Sequence, residues 1–101
     1  MANYNVSGLM VLAELATLKD QPWFVYIISC NDQTLYTGVT NNIEKRLFDH
    51  ENGRGAKYTK GRGPLQLVYR EKFLDRSSAS QREYQIKKMS RLQKLSLIDK
   101  Q

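Results

Sequence analysis

The sequence predicts a small α+β domain: a three-stranded antiparallel sheet flanked by helices, in the order β-β-α-β-α-α. Three observations predict it. Residues 23–30 and 34–40 are rich in β-branched and aromatic side chains, and polar Asn31-Asp32-Gln33 separates them, as a hairpin requires. Downstream, apolar residues recur at helical spacing, and a strand-like run, Leu65–Phe73, lies between the helical segments. A chain of 101 residues holds one core and is too short for two.

Each element has its own signal. Residues 1–22 form an extension, helical or disordered, in which Leu9, Leu12, Leu15 and Leu18 fall at helical spacing before Pro22. The domain proper is expected over residues 23–101. After the hairpin, Asn41 followed three residues later by Glu44 predicts a capping box. Ile43, Leu47 and His50 then trace one helical stripe that ends before Asn52-Gly53. Residues 53–64 combine four glycines with Arg54, Lys57, Lys60 and Arg62, the pattern of a mobile basic loop. Ser77 or Ser78 is expected to cap the next helix, with Ala79, Glu83, Ile86 and Ser90 on one side. Ser90 with Gln93 predicts a fresh cap and a last helix through Leu92, Leu95 and Ile98.

Composition narrows the function. The net charge is +6 and the isoelectric point about 9.6, which makes polyanions the expected partners. One cysteine, Cys30, allows no internal disulfide and fits a reducing interior. One cysteine and one histidine, His50, are too few for a Cys/His zinc site. Any metal must therefore be held by oxygen atoms, which points to magnesium or a similar hard ion. No run approaches the ~20 apolar residues that span a bilayer. Glu14 interrupts the apolar run near the start, where no basic n-region is present, so a cytoplasmic location is expected.

The chemistry-bearing residues form a constellation. A hairpin with an odd loop centred on Asn31 or Asp32 puts Tyr26 and Tyr36 on one sheet face, and a two-residue turn puts them on opposite faces. Cross-strand packing is the other fate open to both rings. Arg46 and His50 are an i, i+4 pair beside the Ile43/Leu47 stripe, at the rim of the helix's buried face, unless both are simply solvated. Glu83 shares the stripe of Ala79 and Ile86. A carboxylate there needs a metal or a cation, with Lys87 and Arg46 as candidate ion-pair partners.

Together, Val25-Tyr26-Ile27, Tyr36-Thr37-Gly38, Arg46, His50 and Glu83 resemble the GIY-YIG nuclease domain. The resemblance covers roughly residues 23–98. Gly55-Ala56-Lys57-Tyr58-Thr59 and Lys60-Gly61-Arg62-Gly63-Pro64, with the Glu83/Lys87/Lys94 series, resemble its small bacterial single-domain subgroup. Phe24 stands where the first glycine of the family name belongs, and Thr37 replaces the second isoleucine. The asparagine that many active members carry after the glutamate has no counterpart between Arg91 and Ser96.

The resemblance implies a metal-dependent endonuclease that hydrolyses DNA phosphodiesters, with branched or damaged DNA as a substrate class and RNA not set aside. Glu83 would hold Mg²⁺ or Mn²⁺ and Arg46 would bind phosphate oxygens. Tyr26 would orient or deprotonate the attacking water, with Tyr36 in the same network and His50 as the alternative base. Arg54, Lys57, Lys60, Arg62 and Lys87 would grip the nucleic acid. A monomer with no membrane partner is expected. Two other classes compete: a nucleic-acid-binding module with a weak or vestigial centre, which the missing asparagine favours, and an interaction protein whose charge is incidental.

Overall fold

The computed structural model of the protein describes residues 21–101. The helix expected between Leu9 and Leu18 lies outside the described residues. Strands β1 (Trp23–Ser29), β2 (Leu35–Thr40) and β3 (Gln66–Phe73) form one antiparallel sheet in the order β2-β1-β3. The helices are α1 (Ile43–Glu51), α2 (Arg76–Lys87) and α3 (Arg91–Asp99). This is the predicted α+β architecture and element order.

β1 is the central strand and is covered on both faces, so four consecutive residues, Val25 to Ile28, are at most 1% exposed. Burying side chains of this size contributes roughly 1.5–3 kcal/mol each. On one face Val25 and Ile27 pack with Tyr69 and with Ala79 and Ile86 of α2; Leu97 and Ile98 of α3 close that side. On the other face Tyr26, Ile28 and Cys30 pack with Ile43 and Leu47 of α1 and with Leu65 and Leu67. A register shift opposite Ile27 and Ile28 lets Tyr69 and Leu67, two apart in β3, serve opposite layers.

Tyr26 pairs with Gly38 and Ile28 with Tyr36, so the hairpin is centred on Asp32. This is the odd-loop case. Gln33 takes a positive φ of 68° to close it, and Asp32 accepts hydrogen bonds from the Thr34 backbone N–H and hydroxyl, at 3.2 and 2.6 Å.

Three local expectations are corrected. The cap of α1 is Asn42, not Asn41: Thr40 Oγ1 accepts the Asn42 N–H, and the Asn42 side chain accepts the Lys45 N–H. The residue three beyond the cap is then Lys45, so Glu44 closes no capping box. α2 is capped by Asp75, whose carboxylate accepts the Ser78 N–H at 2.8 Å, and both serines fall inside the first turn. The segment expected to be a mobile loop contains a 3₁₀ turn at Lys57–Thr59 that buries Thr59. Ser90 and Gln93 do form the expected capping box.

Thr37 carries a structural cost. It faces the Ile27 layer, is 3% exposed, and its hydroxyl has no hydrogen-bond partner among the described residues. Thr37→Val keeps the shape and removes the stranded hydroxyl, so it should stabilise the fold by about 1 kcal/mol. Thermal melts should register a rise of roughly 4–8 °C for a domain of this size. An unchanged or lower melting temperature would mean that the hydroxyl is satisfied in solution.

Candidate active site

The site is built at the outer edge of β2. Tyr26 lies opposite Gly38, and its ring runs across that glycine: a Cβ there would stand 2.4 Å from Tyr26 Oη. A side chain at position 38 would displace the phenol. Tyr36, on the same face, lies with its ring centroid 6.3 Å from that of Tyr26.

α1 crosses this face and supplies two more groups from successive turns. Arg46 donates from Nε to Tyr26 Oη at 3.3 Å. His50, one turn later and 2% exposed, places Nε2 2.9 Å from the same oxygen. The His50 ring also meets Tyr36 edge-on, with centroids 5.3 Å apart. Four of the five expected catalytic residues are therefore in mutual contact. His50 is enclosed by Tyr26, Tyr36, Thr59 and the Gly55 backbone.

The 3₁₀ turn completes the cluster. Thr59 Oγ1 is 2.8 Å from His50 Nδ1, and Gly55 approaches so closely that a Cβ there would be 2.2 Å from that nitrogen. Tyr58 stacks on Tyr36 at 5.8 Å, and the Arg62 guanidinium lies 4.7 Å from the centre of the Tyr58 ring. Arg62 also pairs with Asp32 of the hairpin turn at 2.5 Å. Tyr58, Thr59 and Gly55 were not singled out individually by their chemistry. A buried histidine needs partners for both ring nitrogens, a requirement that Thr59 meets and that becomes visible only once His50 is known to be buried.

Glu83 arrives from the other side of the sheet, on α2, which packs against β1 and β2. Its side chain is 24% exposed and pairs with Lys87 at 3.1 Å, so the cation beside it is Lys87 and not Arg46. Its negative charge is nevertheless felt at the Tyr26 phenol. Among the described residues no three of His, Cys, Asp and Glu gather in one place. The donor set is thus the single Glu83 carboxylate, paired with Lys87. That fits a magnesium ion, which takes one or two protein carboxylates and completes its shell with phosphate oxygens and water.

The electrostatics work against Tyr26 as a free base. Arg46 does lower the Tyr26 pKa, but burial outweighs it and the phenol is pushed up to about 12. Burial also lowers the His50 pKa, and the neighbouring Arg46 charge adds to this, with Asp49 partly offsetting it. The Arg46 pKa is raised: burial opposes its charge, but Tyr26 and Tyr36 together outweigh that.

The five basic residues expected on nucleic acid differ in what they already hold. Arg54 lies over Phe48 and 3.8 Å from Asp49, Arg62 is tied to Tyr58 and Asp32, and Lys87 is paired with Glu83. Among the described residues Lys57 and Lys60 have no ion-pair partner, and both are exposed.

A hairpin contributes two tyrosines, a helix an arginine and a histidine, and a later helix a glutamate, all within one small α+β domain. The chain belongs to the GIY-YIG family, whose catalytic-domain model matches residues 22–96. The UPF0213 protein of Oceanobacillus iheyensis is 55% identical over 80 residues, covering 79% of this chain and 93% of its own. That of Clostridium perfringens is 60% identical over 75 residues, covering 74% and 81%. The solution NMR structure of a UPF0213 protein from Bacillus halodurans is similar with a TM-score of 0.52 at 41% identity, covering 77% of this chain and 83% of that one.

Two outcomes follow from this geometry. Gly38→Ala should destabilise the fold by about 1–3 kcal/mol, the usual cost of overpacking, and should perturb the Tyr26 ring signals in NMR spectra. Unchanged stability and spectra would show that the phenol does not lie over Gly38. His50 faces Tyr26, Arg46 and Asp49, and its folded pKa lies below the ordinary value near ~6.5. The unfolded chain therefore binds the proton first, so stability is full above about pH 6.5 and declines as pH falls below it. Urea midpoints measured from pH 7.5 to 5.5 should fall, and His50→Gln should flatten that slope. A flat wild-type profile would contradict the burial of a neutral imidazole.

Proposed function

We propose that this protein is a metal-dependent endonuclease that hydrolyses DNA phosphodiesters, acting as a cytoplasmic monomer in processing of branched or damaged DNA. One observation carries the reading: a single phenol oxygen, Tyr26 Oη, is held between the His50 Nε2 and Arg46 Nε atoms. A pKa of about 12 makes free phenolate scarce at neutral pH. Paired with a neutral imidazole, the phenol acts as a relay instead. It takes a proton from the attacking water while its own proton passes to His50 Nε2. The water oxygen bonds to phosphorus, the phosphorus–oxygen bond to the leaving sugar oxygen breaks, and that oxygen takes a proton from solvent water. Because His50 is buried and its Nε2 faces the Tyr26 oxygen, it acts as base only through that tyrosine.

Arg46 donates charge-assisted hydrogen bonds to the phosphate oxygens as negative charge builds on them. Glu83 would hold Mg²⁺ or Mn²⁺, an ion that supplies Lewis-acid polarisation of the phosphoryl group. Lys57 and Lys60 contact the backbone without reading sequence; Arg54, Arg62 and Lys87 join them to the extent that their present pairs open. A second reading, a nucleic-acid-binding module with a vestigial centre, draws support from the Lys87 ammonium on the Glu83 carboxylate and from the missing asparagine.

Incubation with DNA and RNA of several structures, with and without Mg²⁺ or Mn²⁺, separates the two readings. Under the first, metal-dependent nicking is seen, and Tyr26→Phe lowers its rate by about 10²–10⁴-fold, the range for a lost proton-transfer group. Glu83→Gln should lower it by orders of magnitude while the fold survives, because a half-exposed pair such as Glu83–Lys87 contributes only about 0–1 kcal/mol. Salt-sensitive binding with no cleavage of any substrate favours the second reading. Nicking that persists in Glu83→Gln would remove Glu83 from the metal site.

A further inference from the structure

Thr59 lies between two exposed lysines, Lys57 and Lys60, yet is itself 1% exposed. Its hydroxyl makes two contacts: the Ala56 carbonyl at 2.9 Å and His50 Nδ1 at 2.8 Å. A threonine hydroxyl carries one proton, and a carbonyl oxygen only accepts. The proton therefore goes to Ala56, whose carbonyl also accepts the Thr59 N–H at 3.1 Å, as two lone pairs allow. Toward His50 the Thr59 oxygen then offers only lone pairs. The ring nitrogen facing it must be the donor. A neutral imidazole has one N–H, so Nε2 is left bare toward Tyr26.

The opposite tautomer fares worse. It would rest on the Ala56 N–H donating to Nδ1 across 3.4 Å, the longer contact. It would also aim two donors, Nε2–H and the Arg46 Nε–H, at the Tyr26 oxygen. The phenol's own proton would then have no acceptor among the described residues. With the Nδ1–H tautomer the protons of the Tyr26 hydroxyl, the His50 ring and the Thr59 hydroxyl each have an acceptor, and only the partly exposed Ala56 N–H gives up its long contact.

We propose that Thr59 is a positioning residue: it locks His50 in the Nδ1–H tautomer and so keeps Nε2 free to receive the Tyr26 proton. The proposal rests on the proton-relay reading above for its kinetic consequence, but not for the tautomer itself. It also accounts for the run Gly55-Ala56-Lys57-Tyr58-Thr59. Gly55 allows the turn to reach His50, Ala56 takes the hydroxyl proton, Tyr58 stacks on Tyr36, and Thr59 orients the base. The basic segment thus helps to set the state of the imidazole that α1 carries.

His50 is the sole histidine in the chain, so long-range ¹H–¹⁵N NMR of the full-length protein at pH 7.5 reports one ring. The expected spectrum has a protonated Nδ1 and a bare Nε2. Thr59→Val, which keeps the branched shape without the hydroxyl, should shift the ring toward Nε2–H. It should slow cleavage by about 10–100-fold, the usual loss when an orienting partner is removed, with the Kd for DNA within about twofold of wild type. Thr59→Ser should restore both tautomer and rate. A wild-type ring with Nε2 protonated overturns the proposal, as does Thr59→Val with unchanged tautomer and rate. Should Thr59→Val not fold, the wild-type and Thr59→Ser spectra decide alone, since Nε2–H in either is fatal. If the protein cleaves nothing, the relay reading fails while the tautomer stands or falls on its own spectrum.

Discussion

The hydrogen bond between Tyr26 Oη and His50 Nε2 is the interaction around which the rest of this structure is arranged. Both rings are almost wholly buried, at 1% and 2% exposure. Each carries polar atoms that cost about 1–3 kcal/mol if left without a partner. Placing them together satisfies one atom of each and creates further demands. The phenol oxygen takes an Arg46 N–H, and the second imidazole nitrogen faces the Thr59 hydroxyl oxygen. Two glycines, at 38 and 55, make room by letting a ring lie directly on backbone.

The position of the cluster on the edge strand has a topological reason. Groups on opposite faces of a sheet are separated by the sheet itself, except beyond its last strand. With the order β2-β1-β3, β2 is such an edge, and α1 and α2 cover its two faces. A phenol crossing Gly38 therefore meets Arg46 and His50 on its own side and senses the Glu83 charge from the other. The same placement explains why Glu83 is partly exposed and paired with Lys87, whereas its helical stripe continues into a fully buried Ala79 and Ile86.

The basic segment is part of the scaffold as well as a source of charge. Arg62 bridges Asp32 in the hairpin turn and Tyr58 in the 3₁₀ turn, and Tyr58 in turn stacks on Tyr36. Cation–π and stacking contacts of this kind contribute about 0.5–1.5 kcal/mol each, enough in combination to hold a short turn against His50. A net charge of +6 overstates the cations available to a polyanion, because several of them already serve the fold.

Much of the architecture was legible in the residues. Period-two aromatic and β-branched runs marked the strands, and Ser90 with Gln93 marked the last helix. Helix starts were less legible: Asn41 competes with Asn42 and Ser77 with Asp75, and only hydrogen bonds from neighbouring backbone choose between them. The site divides in the same way. Tyr26, Tyr36, Arg46, His50 and Glu83 were readable as a set through their resemblance to the GIY-YIG domain, whereas periodicity alone left the faces of the two tyrosines open. The sequence by itself determined the elements, their order and which side chains face the core, because these depend on local periodicity and solvent exclusion. The hairpin register, the Lys87 partner of Glu83, the burial that raises the Tyr26 pKa and the Thr59 contact with His50 were decided by tertiary structure. Each depends on distances between segments that are far apart in the chain, and such distances are set only when the whole core packs.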